Sequence, residues 1–227
     1  MNTSLHWDSL PADTRRVLEA LNDLSGLSDF YLAGGTALAL QIGHRISRDL
    51  DFFSSSNQLD FSARGALTKQ LQSRNPCIVR RETDGMVYST VMGIEVSFIY
   101  QHHPLLEAPI HWRNVAIAGL TDIGLMKLAA IKDRGTRRDF VDIYCLRDAA
   151  PLEQLFKLIP GKYPDRPDFA FHLAHGLRYF EDAENDPREL LMRRTVRWQD
   201  VKKYCEAGAR LLTKHSTGLT PKGLSEK

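Results

Sequence analysis

The sequence predicts an α+β protein, with a mixed sheet and flanking helices in its N-terminal half and a helical C-terminal half. Short apolar runs that stop at glycines are typical of strands and fill the first half. Apolar residues at helical spacing dominate after Thr121. Two prolines interrupt the pattern between residues 102 and 121. We therefore expect a sheet-containing domain at 1–105 and a mainly helical domain at 106–220.

Local signals predict each element of the N-terminal half. Val17 and Leu21 recur at helical spacing, whereas Leu50 and Phe52 alternate with aspartates as in a strand. In chain order we expect a helix within 8–26, a strand within 29–35, a helix within 36–43, a strand within 48–55, a helix over 60–74, and three strands within 77–101 with turns at Asp84-Gly85 and near Gly93.

The C-terminal half is predicted to be helical throughout. Each of its segments has apolar residues on one face at helical spacing. The expected helices lie within 121–134, 137–149, 151–160, 167–186 and 196–216. The polar tail from residue 217 is expected to be frayed.

Composition limits the class of protein. A chain of 227 residues with 43% hydrophobic content can bury a packed core. The sequence has neither a run of 18 apolar residues nor a basic start followed by an apolar stretch, so we expect no membrane span and no secretory signal. Cys77, Cys145 and Cys205 form no CxxC pair, which favours a cytoplasmic protein. The net charge of +2 neither requires nor excludes nucleic acid.

The chemically informative stretch is "GGTALALQIGHRISRDLDF", residues 34–52. Asp49 and Asp51 are two apart on a predicted strand, so both project from one face. Two adjacent carboxylates repel each other, so they face either water or a cation, and Mg²⁺ suits such a pair. The glycines before the short helix expose backbone N–H groups that can hold an anion. An anion site beside metal-binding acids indicates a nucleoside triphosphate (NTP).

The same stretch resembles a known signature. Ala33-Gly34-Gly35 and Asp49-Leu50-Asp51-Phe52 match hG[G/S]-x(9–13)-Dh[D/E]h, the pattern of the DNA-polymerase-β-like nucleotidyltransferases. Arg45 and Ser47 extend the similarity to the AbiEii/AbiGii toxin family, over roughly residues 30–147. The resemblance implies a nucleotidyltransferase-type sheet, Mg²⁺ or Mn²⁺ as cofactor, and the toxin of a bacterial toxin–antitoxin pair linked to abortive infection, with a cognate antitoxin.

The resemblance also implies further site residues. The family's third acid falls on Glu95, which alternates with Ile94 and Val96 on a predicted strand. The family's helical pattern of a lysine, an arginine and R-D-x-x-D falls on Lys127, Arg134, Asp139 and Asp142, and which of the two aspartates is functional stays open. The other interpretation is a surface network of ion pairs among Lys132, Arg134, Arg137, Arg138 and Asp139.

Together these residues predict a Mg-dependent nucleotidyltransferase that moves NMP from an NTP to an acceptor hydroxyl, with tRNA as the acceptor that related toxins suggest. Its metal ligands are Asp49, Asp51 and Glu95, and Glu95 either completes the metal site or deprotonates the acceptor hydroxyl. Its nucleotide-binding residues are Gly34, Gly35, Thr36, Ser47, Lys127 and Arg134.

Two alternatives remain at this point. One is a nucleotide-binding toxin or regulator that acts by binding a partner without catalysis, and it gains if Glu95 points away from the aspartates. The other is transfer to a small molecule. The segment 193–203, with Trp198 among arginines and lysines, is interpreted either as an RNA contact or as a solvated basic helix.

Overall fold

The computed structural model describes residues 5–217, and the side chains of residues 5–213. The expected frayed tail lies outside this range from residue 218 onward. The helices are α1 (Ala12–Leu21), α2 (Gly34–Ile42), α3 (Phe61–Arg74), α4 (Leu120–Asp133), α5 (Arg137–Leu146), α6 (Leu152–Lys162), α7 (Phe169–Gly176), α8 (Glu181–Glu184) and α9 (Trp198–Thr217). The strands are β1 (Tyr31–Ala33), β2 (Leu50–Ser54), β3 (Cys77–Thr83), β4 (Met86–Val91), β5 (Ile94–Tyr100), β6 (Ile110–Trp112) and β7 (Val115–Ile117). The predicted α+β class is confirmed.

The strands form one mixed sheet of seven, in the order β3-β4-β5-β2-β1-β7-β6. β2 pairs antiparallel with β1 and parallel with β5, so β2 is an interior strand. Leu50 and Phe52 of β2 are fully buried, and the Phe52 ring stacks on Phe98 of β5 at 5.2 Å between centroids. This packing fixes the position of the strand that carries Asp51 and that Asp49 precedes.

The sequence did not predict β6 and β7. Residues 102–121 were expected to interrupt the pattern, but β7 pairs parallel with β1 and antiparallel with β6. Each strand has three residues, too few to produce a visible alternation. β7 depends on pairing with β1, which lies about 80 residues earlier in the chain, and β6 joins the sheet through β7.

The chain forms two compact units. The first contains residues through Met126 together with Arg188–Thr195, and the second contains Lys127–Pro187 together with the chain from Val196. The expected boundary near residue 105 falls between β5 and β6, which belong to the same sheet.

The segment Arg188–Thr195 returns to the first unit through backbone pairing. Arg45 and Met192 form an isolated antiparallel bridge. The Ile46 N–H donates to the Leu191 carbonyl at 2.8 Å. Because this contact joins residues far apart in sequence, no local sequence pattern predicts it.

None of the helices in the described part is long and apolar enough to cross a membrane.

Candidate active site

The two aspartates lie at the start of β2. Leu50 and Phe52 point into the core, so Asp49 and Asp51 project from the opposite face, where both are partly exposed. The prediction that Leu50 and Phe52 are buried while the two aspartates project from the other face is therefore confirmed.

Glu95 shares that face. In the parallel pairing of β2 and β5, Leu50 lies opposite Val96 and Asp51 lies opposite Ser97. Extending the register by one residue puts Glu95 opposite Asp49. The Ser97 hydroxyl donates to Asp51 Oδ1 at 2.5 Å, which orients that carboxylate. Glu95 therefore does not point away from the aspartates.

The three acids line one cavity of about 370 Å³, which we call the acid-lined cavity. Its full lining is Asp49, Asp51, Arg80, Tyr88, Ser89, Thr90, Glu95, Val96 and Ser97. Carboxylate and hydroxyl oxygens predominate among the polar atoms of these side chains, and a hard cation such as Mg²⁺ or Mn²⁺ prefers oxygen ligands. The residues present thus fit the expected metal.

Arg80 is the cation of this lining, and sequence reasoning missed it. Strand alternation alone puts Arg80 and Arg81 on opposite faces of β3, with no reason to choose between them. The register of β3 shifts between Val79 and Arg81, and the sequence contains no signal for that bulge.

The double glycine allows side chains to approach α2 closely. Gly34 has φ +68°, and a Cβ there would lie 3.0 Å from Asp51 Oδ2. A Cβ on Gly35 would lie 2.1 Å from a guanidinium nitrogen of Arg45, which is itself buried. Both glycines are thus explained by contacts within the protein, and their predicted contact with phosphate stays a prediction.

Thr36 and Ser47 connect α2 to the segment before β2. Thr36 Oγ1 shares a hydrogen bond with Ser47 Oγ at 2.9 Å and also donates to the Asp49 carbonyl. Arg45 donates to the Ser47 hydroxyl at 3.3 Å. Both hydroxyl residues are buried, so these bonds position Asp49, and direct contact of either with a nucleotide also stays a prediction.

We expect Gly35→Ala to destabilise the first unit by about 1–3 kcal/mol, because Arg45 must leave its buried position to make room for the methyl group. Gly65→Ala is the control, since a Cβ on this α3 residue meets nothing within 4 Å. That change should stabilise by up to about 1 kcal/mol through helix propensity. Chemical denaturation of both variants checks the pair, and equal effects would contradict the close packing at Gly35.

The predicted helical cluster forms a buried ion network inside the second unit. Lys127 Nζ lies 2.9 Å from Asp139 Oδ1 and 2.7 Å from Asp142 Oδ2. The Lys127 side chain is 9% exposed and that of Asp142 is fully buried. Arg134 Nε lies 3.5 Å from Asp139 Oδ2, and its side chain is 68% exposed. Lys127, Asp139 and Asp142 therefore form buried ion pairs, whereas the Arg134 side chain lies at the surface.

These contacts give the four residues a structural role. Two buried carboxylates need a cation, and Lys127 supplies it. The catalytic or nucleotide-binding roles that the resemblance implies for Lys127, Arg134, Asp139 and Asp142 stay predictions.

The pKa of Asp139 reflects this network. Burial alone would raise the pKa of the carboxyl, but Lys127, Arg134 and a hydrogen bond from the Thr136 hydroxyl at 2.6 Å outweigh burial and hold the pKa below its ordinary value. The ionised carboxylate is therefore the form that stabilises the folded state.

A depressed pKa makes a signed prediction for Asp139→Asn. The contribution of the native carboxylate is complete above the unfolded pKa, about 3.9, and is lost as pH falls through the lower folded value. The variant should be less stable than the wild type at pH 7, and the gap should narrow at acidic pH. Denaturation curves from pH 7 to pH 3 measure it. Asp148→Asn is the control: the Asp148 side chain is 82% exposed, so its replacement should change the stability little at any pH.

Contacts within each unit occupy several cations of the segment 193–203. These cations form ion pairs with carboxylates as follows: Arg193 with Asp8, Arg197 with Asp200 at 2.7 Å, and Lys202 with Glu184 at 2.9 Å. An RNA contact at these residues would have to compete with the existing pairs.

Trp198, which the sequence offered for base stacking, is partly exposed and makes several contacts within the second unit. The centroid of its ring lies 6.1 Å from that of Phe140 and 5.9 Å from that of Phe180, and both pairs are T-shaped. The Arg137 guanidinium lies 4.9 Å from its centroid, and its indole N–H donates to Glu184 at 3.0 Å. The residue is an aromatic anchor of the second unit, since α9 brings it against α5 and the segment around α8.

The fold of this chain is similar to that of solved structures. Its structure resembles MenT4, a nucleotidyltransferase toxin from Mycobacterium tuberculosis, with a TM-score of 0.52 and 15% identity over 87% of this chain and 80% of that one. It also resembles JHP933 from Helicobacter pylori, with a TM-score of 0.51 and 20% identity over 95% of this chain and 98% of that one. At these identities the similarity shows the fold.

The family itself is shown by sequence. The family described as "Nucleotidyl transferase AbiEii toxin, Type IV TA system" matches residues 16–216, so the chain belongs to the AbiEii nucleotidyltransferase toxins of type IV toxin–antitoxin systems. An uncharacterised protein of Aquifex aeolicus is 34% identical over 199 residues, which cover 86% of this chain and 93% of that protein. The resemblance predicted from residues 30–147 is confirmed and extends over most of the chain.

Proposed function

We propose that this protein transfers NMP from an NTP to a hydroxyl of an RNA acceptor, with Mg²⁺ as cofactor and release of pyrophosphate. One observation carries the proposal: Asp49, Asp51 and Glu95 line the same cavity, on adjacent strands of a nucleotidyltransferase fold. This shared lining favours catalysis over binding alone, because a nucleotide-binding regulator has no need for three carboxylates in one cavity.

Asp49 and Asp51 are the proposed metal ligands. Their partial exposure leaves their oxygens accessible, and the hydrogen bond from Ser97 limits the rotation of the Asp51 carboxylate. When bound, Mg²⁺ neutralises phosphate charge and orients the attacking and leaving oxygens, and Mn²⁺ can do the same. The task of this chain is to hold the two carboxylates in position, which the buried residues Leu50 and Phe52 accomplish.

Glu95 is the proposed acceptor of the proton. In the transfer, the acceptor hydroxyl oxygen forms a bond to the α-phosphorus, the bond from that phosphorus to the bridging oxygen breaks, and pyrophosphate leaves. The hydroxyl proton passes to the Glu95 carboxylate. Glu95 is exposed and lies on the face of the two aspartates, where a general base must reach a hydroxyl.

RNA, and tRNA in particular, is proposed as acceptor from the similarity to nucleotidyltransferase toxins, and the cytoplasm is the compartment that supplies both NTP and tRNA. A cognate antitoxin is the partner that a type IV toxin–antitoxin family implies.

Incubation with each α-labelled NTP, Mg²⁺ and total cellular RNA tests the function. We expect covalent label on RNA with at least one NTP, and none when Asp49 and Asp51 are both replaced by asparagine. Label on a small molecule would shift the acceptor class. Nucleotide binding without label on any acceptor would overturn the proposed transfer and favour the non-catalytic alternative.

A further inference from the structure

Arg80 is the extra residue of a bulge in β3. Val79 lies opposite Ser89 and Arg81 lies opposite Tyr88, so Arg80 has no residue opposite it. A bulge bends its strand and redirects side chains, and bulges are frequent beside active sites. The residue left without a cross-strand neighbour here is a cation.

Arg80 lies on the face of the acids, because Ile78, two residues earlier on β3, pairs with Thr90. Thr90 of β4 pairs with Glu95 of β5, and the Arg80 Nε–H donates to the Thr90 hydroxyl at 2.9 Å. Residues paired across a sheet project from the same face. Arg80 accordingly lines the acid-lined cavity together with Asp49, Asp51 and Glu95.

Arg80 does not neutralise those acids by direct contact. Within the part of the chain that the structure describes, its side chain bonds Thr90 and forms no ion pair. A guanidinium has five N–H donors, so most of its donors are open to a ligand. Planar paired donors match two oxygens of one phosphate group.

We propose that Arg80 binds a phosphate group of the substrate in the acid-lined cavity, either of the NTP or of the RNA backbone next to the acceptor hydroxyl. The inference rests on the proposed nucleotidyl transfer and adds a residue to it. A metal-binding carboxylate cluster attracts cations but repels phosphate, and a cation on the same surface offsets that repulsion.

The neighbouring Arg81 separates this role from a simpler one. β3 is an edge strand, and exposed arginines on edge strands discourage pairing with other chains. Arg81 is an equally exposed arginine on the same edge, but it does not line the cavity. Edge protection predicts equal behaviour of the two residues, whereas phosphate binding predicts a difference.

The test compares Arg80→Gln, Arg80→Lys and Arg81→Gln with the wild type in two measurements. Calorimetric titration with each of the four NTPs and Mg²⁺ gives nucleotide affinity, and transfer at varied total RNA gives KM for the acceptor separately from kcat. Melting temperatures verify that each variant is folded. The variant Arg80→Lys is included because lysine keeps the positive charge but lacks the paired N–H donors of arginine.

We expect Arg80→Gln to weaken NTP affinity or to raise KM for RNA by about 10- to 100-fold, the usual loss of a hydrogen bond to a charged group. Arg80→Lys should recover part of it, and Arg81→Gln should stay within about twofold. A loss of NTP affinity assigns the phosphate to the nucleotide, and a raised KM assigns it to the acceptor. Equal values for folded Arg80→Gln and Arg81→Gln in both measurements would overturn the inference.

The two proposals fail in distinguishable ways. If wild type transfers nucleotide and Arg80→Gln matches it, the function stands and the role of Arg80 falls. If wild type binds NTP without transfer and Arg80→Gln weakens that binding, the transfer falls and the role of Arg80 stands.

Discussion

Asp51→Asn is expected to abolish nucleotidyl transfer, with a loss of at least about 10³-fold in kcat/KM. Lewis-acid stabilisation of a transferring phosphoryl group contributes several kcal/mol, and each 1.36 kcal/mol corresponds to about tenfold in rate. Asparagine keeps the shape of the side chain but removes the negative charge that attracts the cation. Asp49→Asn should behave alike, since both side chains project from β2 into the acid-lined cavity.

The measurement is the initial rate of label transfer, together with the melting temperature of each variant. Both aspartates are partly exposed, so the variants should fold, and relief of carboxylate repulsion should keep the melting temperature at or above that of wild type. Glu189→Gln is the control, because it removes one exposed charge of the first unit outside the cavity. Full activity in folded Asp49→Asn or Asp51→Asn would falsify the metal site.

Lys127→Ala is expected to destabilise the protein by about 3–5 kcal/mol, because it leaves Asp139 and Asp142 buried without their cation. For a chain of this size that corresponds to a drop in melting temperature of about 10 °C. Differential scanning calorimetry measures the drop. Lys157→Ala, which breaks an exposed pair with Glu153 at 3.2 Å, should cost less than about 1 kcal/mol.

A compensated variant tests the reason for that loss. Lys127→Met combined with Asp139→Asn and Asp142→Asn removes the cation and both anions together, so part of the stability should return. A Lys127→Ala protein that melts like wild type but no longer binds NTP would instead place the lysine at the triphosphate, as the resemblance implies.

The positions of the acids could be predicted because they depend on local periodicity. Leu50 and Phe52 are apolar and alternate with the aspartates, so burial of one pair determines the exposure of the other. The same alternation places Glu95 on the other face of β5 from its buried neighbours Ile94 and Val96. Burial of apolar side chains is the largest favourable term in folding, and it acts on a pattern that can be read directly from neighbouring residues.

Other features depend on residues that are distant in the sequence. Gly35 must be a glycine because of Arg45, and the pairing of Arg45 with Met192 joins residues about 150 positions apart. β7 pairs with the free side of β1, and β6 in turn pairs with β7. Such contacts leave no periodic pattern in the sequence, since each depends on which distant segment of the chain the fold brings next to the residue.

The sequence by itself determined the α+β class, the nucleotidyltransferase family and the face of β2 that carries Asp49 and Asp51. Tertiary structure alone decided that the cation at Lys127 is buried between two carboxylates and that Arg80 lines the cavity of the acids. The physical reason is the same in both cases: the partner of a charged side chain is set by its neighbours in space, and Coulomb energy depends on distance and burial and not on position along the chain.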